Sequence, residues 1–282
     1  MKIFELVWWL SLAVVVYTYI GHGILLYCLL VVKRLLIKPT ANKETYLMPS
    51  VTILVAAYNE EDFIEAKIQN TLQLDYPAEK IKYLFVTDGS TERTPEMVKQ
   101  YPEITLYHQA QRKGKIAAVQ RVMKYVDSQI VIFTDANTFL NQEAAQLLVQ
   151  HYQDPTVGGV AGEKRVLIKE KDNAAGVGEG LYWKYESLLK KWDAELYSIV
   201  GAAGELFSIR TALYEAVPED TIIEDFYLTL RIAQRGYRIG YEPAASAQEL
   251  PSASVNEELK RKVRIAAGGI QAIVRLKSLL NP

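Results

Sequence analysis

The sequence predicts an α/β domain on a mostly parallel sheet with helices on both faces, preceded by a membrane-spanning helix and followed by an amphipathic one. Three observations carry that expectation. Between positions 50 and 165, short apolar β-rich runs alternate with stretches whose apolar residues recur at helical spacing, the pattern of a doubly wound sheet. Residues 6–32 are 27 positions without Asp, Glu, Lys or Arg. Acidic motifs close two of the apolar runs, Asp88-Gly89-Ser90 and Asp135-Ala136-Asn137, and a third, Glu224-Asp225, follows much later.

The N-terminal segment comes first. As a helix, residues 6–32 reach roughly 40 Å, enough to cross a ~30 Å hydrocarbon core with tilt. Trp8, Trp9, Tyr17, Tyr19 and Tyr27 supply the aromatic content of membrane interfaces. The apolar core is too long for a signal peptide and no clear cleavage site follows it. A retained transmembrane helix over 4–33 is expected, with two closely packed short segments or a re-entrant hairpin at Gly21-His22-Gly23 as the alternatives. Lys33, Arg34, Lys38 and Lys43 on its far side place the following domain in the cytoplasm by the positive-inside rule.

After a basic linker to about Ser50, VTILVAA at 51–57 reads as a buried strand and 60–74 as a helix on Phe63, Ile64, Ile68 and Leu72. Strands follow at 81–87, 104–108 and 129–134, separated by helices at 91–100 and 115–126. A helix at 141–152 is expected to be capped by Asn141, and 157–168 is strand-rich. Beyond 172 the pattern changes: a long helix at about 177–196, a glycine-rich turn at 201–204, a strand at 206–209, a helix at 225–235 stopped by Gly236, and a strand at 238–241. The main domain is expected over 49–250. The last segment, 255–282, sets Lys260, Arg261, Lys262, Arg264, Arg275 and Lys277 against Leu259, Val263, Ile270, Ile273 and Leu276. That is a helix for an anionic membrane surface or, alternatively, one packed on the domain with a solvated face.

Composition narrows the function classes. In 282 residues, 32 Lys and Arg balance 33 Asp and Glu, so no global charge draws nucleic acid, and none is expected as a partner. A single cysteine, Cys28, rules out an internal disulfide framework.

In an open α/β sheet, ligands bind at the carboxyl ends of the strands. Asp88 and Asp135 stand there, where carboxylates suit ribose hydroxyls, a base edge or a cation bridging phosphates. Tyr58-Asn59-Glu60 occupies the first strand-to-helix loop; no GxGxxG is present, which argues against a dinucleotide site. Glu60 there is equally a first-turn acid favoured by the helix dipole, and Asp88 equally a turn residue. Arg112-Lys113-Gly114-Lys115 opens a helix, where cations oppose the dipole unless an anion such as a diphosphate is bound. Asp135 and Asn137, two apart, could share Mg²⁺ or Mn²⁺, Asn137 as a neutral donor that weakens the site. Glu224 and Asp225 open a helix; one of them, with Asp225 preferred, could take the proton from an acceptor hydroxyl.

Together these stretches resemble membrane-bound family 2 glycosyltransferases with a GT-A fold. The resemblance covers about 49–271 through VTILVAAYNEE, LDYP with YLFVTDGSTERT, RKGKIAAVQ, FTDANT, GAAGELFSIRTALYEAVP, IIEDFYLTLRIAQRGYRIGYEP and KRKVRIAAGGIQA, seven loose matches in a specific order. It implies inverting, single-displacement transfer from a nucleotide-activated sugar, usually UDP-linked, to a lipid or glycan hydroxyl at the cytoplasmic face of the cell membrane. Asp88, with Tyr58 and Glu60, falls at the nucleotide. Lys115 and Arg264 fall at the diphosphate, Asp135 and Asn137 on the two acids of the DxD motif, Asp225 with Glu224 on the base motif, and Gly204 and Glu205 at the acceptor. Two departures stand out. The second DxD acid is Asn137, and the QxxRW motif of processive synthases appears as Arg261-Lys262-Val263-Arg264-Ile265, without the Trp that stacks on the acceptor sugar. Two alternatives therefore stay open: a non-catalytic relative that binds or assembles, and a processive synthase lacking its C-terminal membrane helices.

Overall fold

The computed structural model describes residues 2–36, 48–166, 175–249 and 255–280. Its centre is an eight-stranded sheet. The first four strands follow the expected runs: β1 (Val51–Ala57), β2 (Ile81–Asp88), β3 (Ile104–Gln109) and β4 (Ile130–Asp135). Their pairings with one another are parallel, with β1 between β2 and β4. Alternation along these strands feeds two cores. Val51, Ile53, Val55, Phe85, Ile130 and Ile132 face one side, under α3 (Ile64–Leu72), α4 (Thr94–Val98) and α6 (Ala144–Val149). Leu54, Leu84, Val86, Val131 and Phe133 face the other, under α5 (Lys115–Met123) and α8 (Glu224–Gln234). Helices thus cover both faces, as strands buried on both sides require.

The second half of the sheet departs from a purely parallel arrangement. Three further strands, β6 (Val157–Val166), β7 (Leu206–Arg210) and β8 (Arg238–Glu249), complete the order β3-β2-β1-β4-β7-β6-β8-β5 with the short β5 (Thr138–Leu140) at the edge. β7 inserts antiparallel between β4 and β6, and β5 pairs antiparallel with β8, while β6 and β8 are parallel. The parallel sheet expected from 50 to 165 therefore stops at β4. β8 runs well past the expected 238–241. Pro243, which has no N–H to give the ladder, lies where the β6/β8 register shifts between Gly162 and Glu163. Asn141 does not cap α6: its side-chain oxygen accepts from the Ser246 amide at 2.7 Å and ties the helix approach to β8.

The N-terminal helix is continuous over Lys2–Leu36, with mean hydropathy 1.9, and is long and apolar enough to cross a membrane by length and composition. It consists of α1 (Lys2–Val16), a π-helical turn at Tyr17–Gly21 and α2 (His22–Leu36). A continuous helix stands where the hairpin alternative put a reversal. Most of the basic linker, including Lys38 and Lys43, lies outside the described residues. α7 (Ala175–Leu196) packs against α2 and β8, and α9 (Val255–Arg275) against α8.

Candidate active site

The parallel strands end together, so the loops after β1, β2 and β4 converge at one rim. The β1 loop is held by Asn59, in the left-handed region at φ 53°. Its side-chain oxygen accepts from the Thr91 amide at 2.9 Å and its amide nitrogen donates to the Thr91 hydroxyl at 3.3 Å, tying the β1 loop to the β2 loop. Tyr58 is exposed there, with the Arg112 guanidinium 3.7 Å above its ring centre, a cation–π contact.

Asp88 is buried, and both oxygens are engaged. One accepts from the amides of Lys113 and Gly114, each at 2.7 Å, and the other from Arg121 at 3.2 Å. Asp88 thus holds the loop that leads into α5. Gly89 makes room for that loop. Its φ is +73°, and an added Cβ would lie 2.4 Å from Arg112 Cβ and 2.8 Å from the Arg112 nitrogen. Backbone strain and a backbone clash act together, so Gly89→Ala should destabilise the fold by more than about 1 kcal/mol. A thermal melt checks it; an unchanged midpoint would mean the loop is not packed as described.

Lys115, the first residue of α5, is the hub. Its ammonium lies 2.7 Å from Asp135 Oδ1 at the end of β4 and 3.1 Å from Glu224 Oε1 at the start of α8. Burial opposes its charge, but the carboxylates of Asp135, Glu224 and Asp225 outweigh that and hold it protonated well above the ordinary lysine range. Asp225 responds in the opposite sense. Burial and then the Glu224 charge push its carboxyl up to about 7, against the pull of Lys115. The 201–204 loop seats α8: the Thr229 hydroxyl donates to the Asp225 carbonyl at 2.9 Å and accepts from the Ala202 amide at 3.1 Å. Gly204 lies so close that a Cβ there would sit 3.1 Å from Asp225 Oδ2.

These groups line an open cleft of about 630 Å³, a ligand-sized space. Of the residues expected at the site, Lys115, Asp135, Gly204, Glu205, Glu224, Asp225 and Arg264 share it. Tyr58, Glu60, Asp88 and Asn137 are not among its lining residues; they stand at or just beyond the ends of β1, β2 and β4. Burial, the Asp135 charge and the Glu92 charge raise the Glu60 carboxyl to about 6, so Glu60 belongs electrostatically to the Asp135 corner. Glu205 is held below the usual carboxylate range, because Lys164 at 2.6 Å and Arg261 at 3.4 Å outweigh its burial. Arg264 is exposed on α9 and faces the same cleft.

Among the described residues, no three of His, Cys, Asp and Glu stand close enough to hold a metal ion by themselves. The corner at Asp135 still fits a hard divalent cation. Asp135 shares its one lysine contact with Glu224, Asn137 is half-buried two residues on, and burial together with the nearby Asp135 raises Glu60. Such ions commonly take one or two protein oxygens and draw the rest from substrate phosphates and water.

Several contributors were not singled out in the sequence. Lys67 is fully buried on α3, donating to Thr134 Oγ1 at 3.0 Å and the Thr138 carbonyl at 2.7 Å, so it clamps both ends of the turn that carries Asp135 and Asn137. Burial lowers its pKa to about 7, against the pull of Asp135. A signal existed: Lys67 falls on the apolar stripe with Ile64, Ile68 and Thr71. Lys164 and Trp183 also line the cleft, and neither has a local signature.

Comparison with known proteins agrees with this fold. Residues 52–217 match the family description Glycosyl transferase family 2. The chain is 29% identical over 248 residues to the poly-beta-1,6-N-acetyl-D-glucosamine synthase of Staphylococcus aureus, covering 84% of this chain and 58% of that one. It is 25% identical over 244 residues to the Staphylococcus epidermidis synthase of the same name, covering 83% and 58%. The chain therefore spans somewhat over half the length of these curated relatives. Among solved structures, the mannosyltransferase PcManGT from Pyrobaculum calidifontis, in complex with GDP-Man and Mn²⁺, superposes with a TM-score of 0.72 at 26% identity, covering 95% of this chain and 75% of that one. GalNAc-T7 with UDP, GalNAc and Mn²⁺ shares the fold, with a TM-score of 0.57 at 15% identity over 72% of this chain and 44% of that one.

Proposed function

We propose, from the premise that this chain belongs to glycosyl transferase family 2, that it transfers N-acetylglucosamine or a related hexose from a UDP-sugar to a glycan or lipid hydroxyl at the cytoplasmic face of a membrane. The observation that carries this reading is the constellation at α8. A carboxyl raised to about 7, Asp225, stands in a cleft beside a lysine clamped between Asp135 and Glu224. A base with that affinity is half-deprotonated near neutral pH, where general-base catalysis is most effective.

In the proposed reaction, Asp225 takes the proton of the acceptor hydroxyl as its oxygen attacks the anomeric carbon. The bond from that carbon to the diphosphate oxygen breaks on the opposite face, and the configuration inverts. The departing diphosphate carries the electron pair, and Lys115 and Arg264 are the cations placed to neutralise it. Asp135 with Asn137 would hold Mg²⁺ or Mn²⁺, which supplies further Lewis-acid neutralisation of the leaving group. Asp88 acts by fixing the 112–115 loop at the nucleotide end, and Tyr58 and Glu60 complete that end. Glu224 holds Lys115 and keeps Asp225 basic.

The membrane reading rests on two elements. Lys2–Leu36 meets the length and hydropathy for a span. α9 docks one face through Gln271, which accepts from the Ile222 amide and donates to the Asp220 carbonyl, both at 2.9 Å. Its other face leaves Leu259, Val263, Ile270 and Val274 more than half exposed, bordered by Lys260 and Lys262. An apolar stripe bordered by cations suits anionic lipid headgroups.

The test is turnover. The full chain in nanodiscs is given UDP-GlcNAc or GDP-mannose with an N-acetylglucosamine oligosaccharide, with Mn²⁺ or with chelator, and nucleotide release and product mass are followed. Metal-dependent UDP release with a lengthened oligosaccharide supports the reading. Release from GDP-mannose alone moves the donor to that of the archaeal neighbour, and UDP binding without turnover favours a non-catalytic relative.

A further inference from the structure

α7 presents two different stripes to two different partners. One stripe grips the N-terminal helix. The Tyr185 hydroxyl donates to the Tyr19 carbonyl at 2.8 Å, within the π-helical turn. Gly23 allows that approach, since a Cβ there would lie 2.7 Å from the Tyr185 hydroxyl and 3.3 Å from Leu189. Farther along, Trp192 lies 5.2 Å from the Tyr27 ring. Lys33 donates to the carbonyls of Glu195 and Leu196 at 2.6 and 2.9 Å, closing the end of α7, and Arg34 pairs with Glu195 at 2.7 Å. A cation on the last carbonyls of a helix satisfies groups that have no partner within it.

The other stripe, Trp183, Glu186 and Lys190 at i, i+3 and i+7, lines the catalytic cleft. Glu186 and Lys190 pair at 2.7 Å, and Ser187 bonds the Tyr241 hydroxyl at 2.8 Å, fixing α7 to β8. Position within the sheet decides which substrate this stripe meets. α5, with Lys115, packs on β1 and β2, while α7 packs on β8. β7, preceded by the Gly204 loop that touches Asp225, lies between β4 and β6 in the strand order. In the strand order Lys115 and α7 therefore lie on opposite sides of β7 and its Gly204 loop. A base that activates the acceptor must have the acceptor on the side away from the diphosphate.

We propose that the cleft-facing stripe of α7 is the acceptor subsite: Trp183 stacks on a pyranose face, and Glu186 and Lys190 bond its hydroxyls. The inference rests on the transferase reading above. Sugar faces carry C–H groups that pack on an indole, while the equatorial hydroxyls reach charged groups at the edge. Trp183 lines the cleft with two other aromatic residues, Phe226 and Tyr241, where α9 offers Ile265. Because the opposite stripe is fastened to α2, the N-terminal helix sets the position of this subsite as well as anchoring the chain.

The test compares the full-length chain in nanodiscs with Trp183→Ala and Trp183→Phe, measuring acceptor KM, donor KM and acceptor-independent UDP release. The expected result is a rise of about tenfold in acceptor KM for Trp183→Ala, with donor KM and UDP release within twofold of the parent and most of the loss restored by Trp183→Phe. An unchanged acceptor KM overturns the inference, and so does a parallel fall in UDP release, which would mark Trp183 as part of the core. A parent chain that neither releases UDP nor transfers overturns the underlying function instead, so the two failures are distinguishable.

Discussion

Asp225→Asn is expected to abolish sugar transfer while the chain still binds UDP. The substitution keeps the volume and removes only the ability to accept a proton. Loss of a general base lowers turnover by roughly 10²–10⁴-fold. At the nucleotide end of the cleft, Tyr58 contacts Arg112 and Asp88 binds the amides of Lys113 and Gly114, so these contacts do not depend on Asp225. Equal loss of UDP binding and transfer would make Asp225 a structural residue. The pH profile is a second readout. The base works deprotonated, so transfer by the parent should fall as pH drops through about 7. Stability moves the other way. The folded pKa of about 7 lies above the ordinary 3.8, so the stability contributed by the protonated carboxyl is fully present below 3.8 and is lost as pH rises through 7. Asn mimics the protonated form. Asp225→Asn should therefore melt above the parent at pH 8, with the gap narrowing as pH falls toward 4. A variant that melts lower at pH 8 would contradict the buried, uncompensated carboxylate.

Asp135→Ala is expected to remove metal-dependent UDP binding. Asp135 is the one carboxylate at the end of β4, and its motif partner Asn137 brings no charge. Stabilisation of a diphosphate by a cation amounts to several kcal/mol, so affinity in the presence of Mn²⁺ should fall roughly a hundredfold or more. Calorimetric titration of UDP with and without Mn²⁺ separates the contributions. In the variant the two titrations should coincide, leaving the weaker binding that Lys115 and Arg264 provide. Asn137→Asp gives the converse, because a second carboxylate two positions on should tighten Mn²⁺ binding. If Asp135→Ala retained the metal dependence, the cation would have to be held elsewhere, with Glu60 the next oxygen donor to test.

Much of this site was legible along the chain. The runs at 51–57, 81–87 and 129–134 are dense in β-branched and aromatic residues and became β1, β2 and β4 within a residue or two. Their ends had to be loops, and parallel strands entering one sheet put those ends on one rim. Glu224 and Asp225 were visible because acids favour a helix start. Less legible was what each acid would touch. Asp88 has the chemistry of a base contact, yet one of its oxygens accepts from the amides of Lys113 and Gly114 and the other from Arg121. Those amides lie 25 and 26 residues away, on a loop whose approach depends on Gly89.

Most of the strand and helix runs, the order of the acidic motifs and the apolar N-terminal helix can be read along the chain, because periods of 2 and 3.6 residues and a long uncharged run are local properties. Long-range packing was needed to run β7 antiparallel into the middle of the sheet and to bury Lys67 behind the Asp135 turn. It alone set Lys115 between Asp135 and Glu224, and turned one face of α7 to the N-terminal helix and the other to the cleft. Those outcomes depend on which surfaces meet across 20 to 162 positions of chain. Strand pairing, burial and the pKa values that follow from burial arise from such contacts, and no pattern within a single helix or strand encodes them.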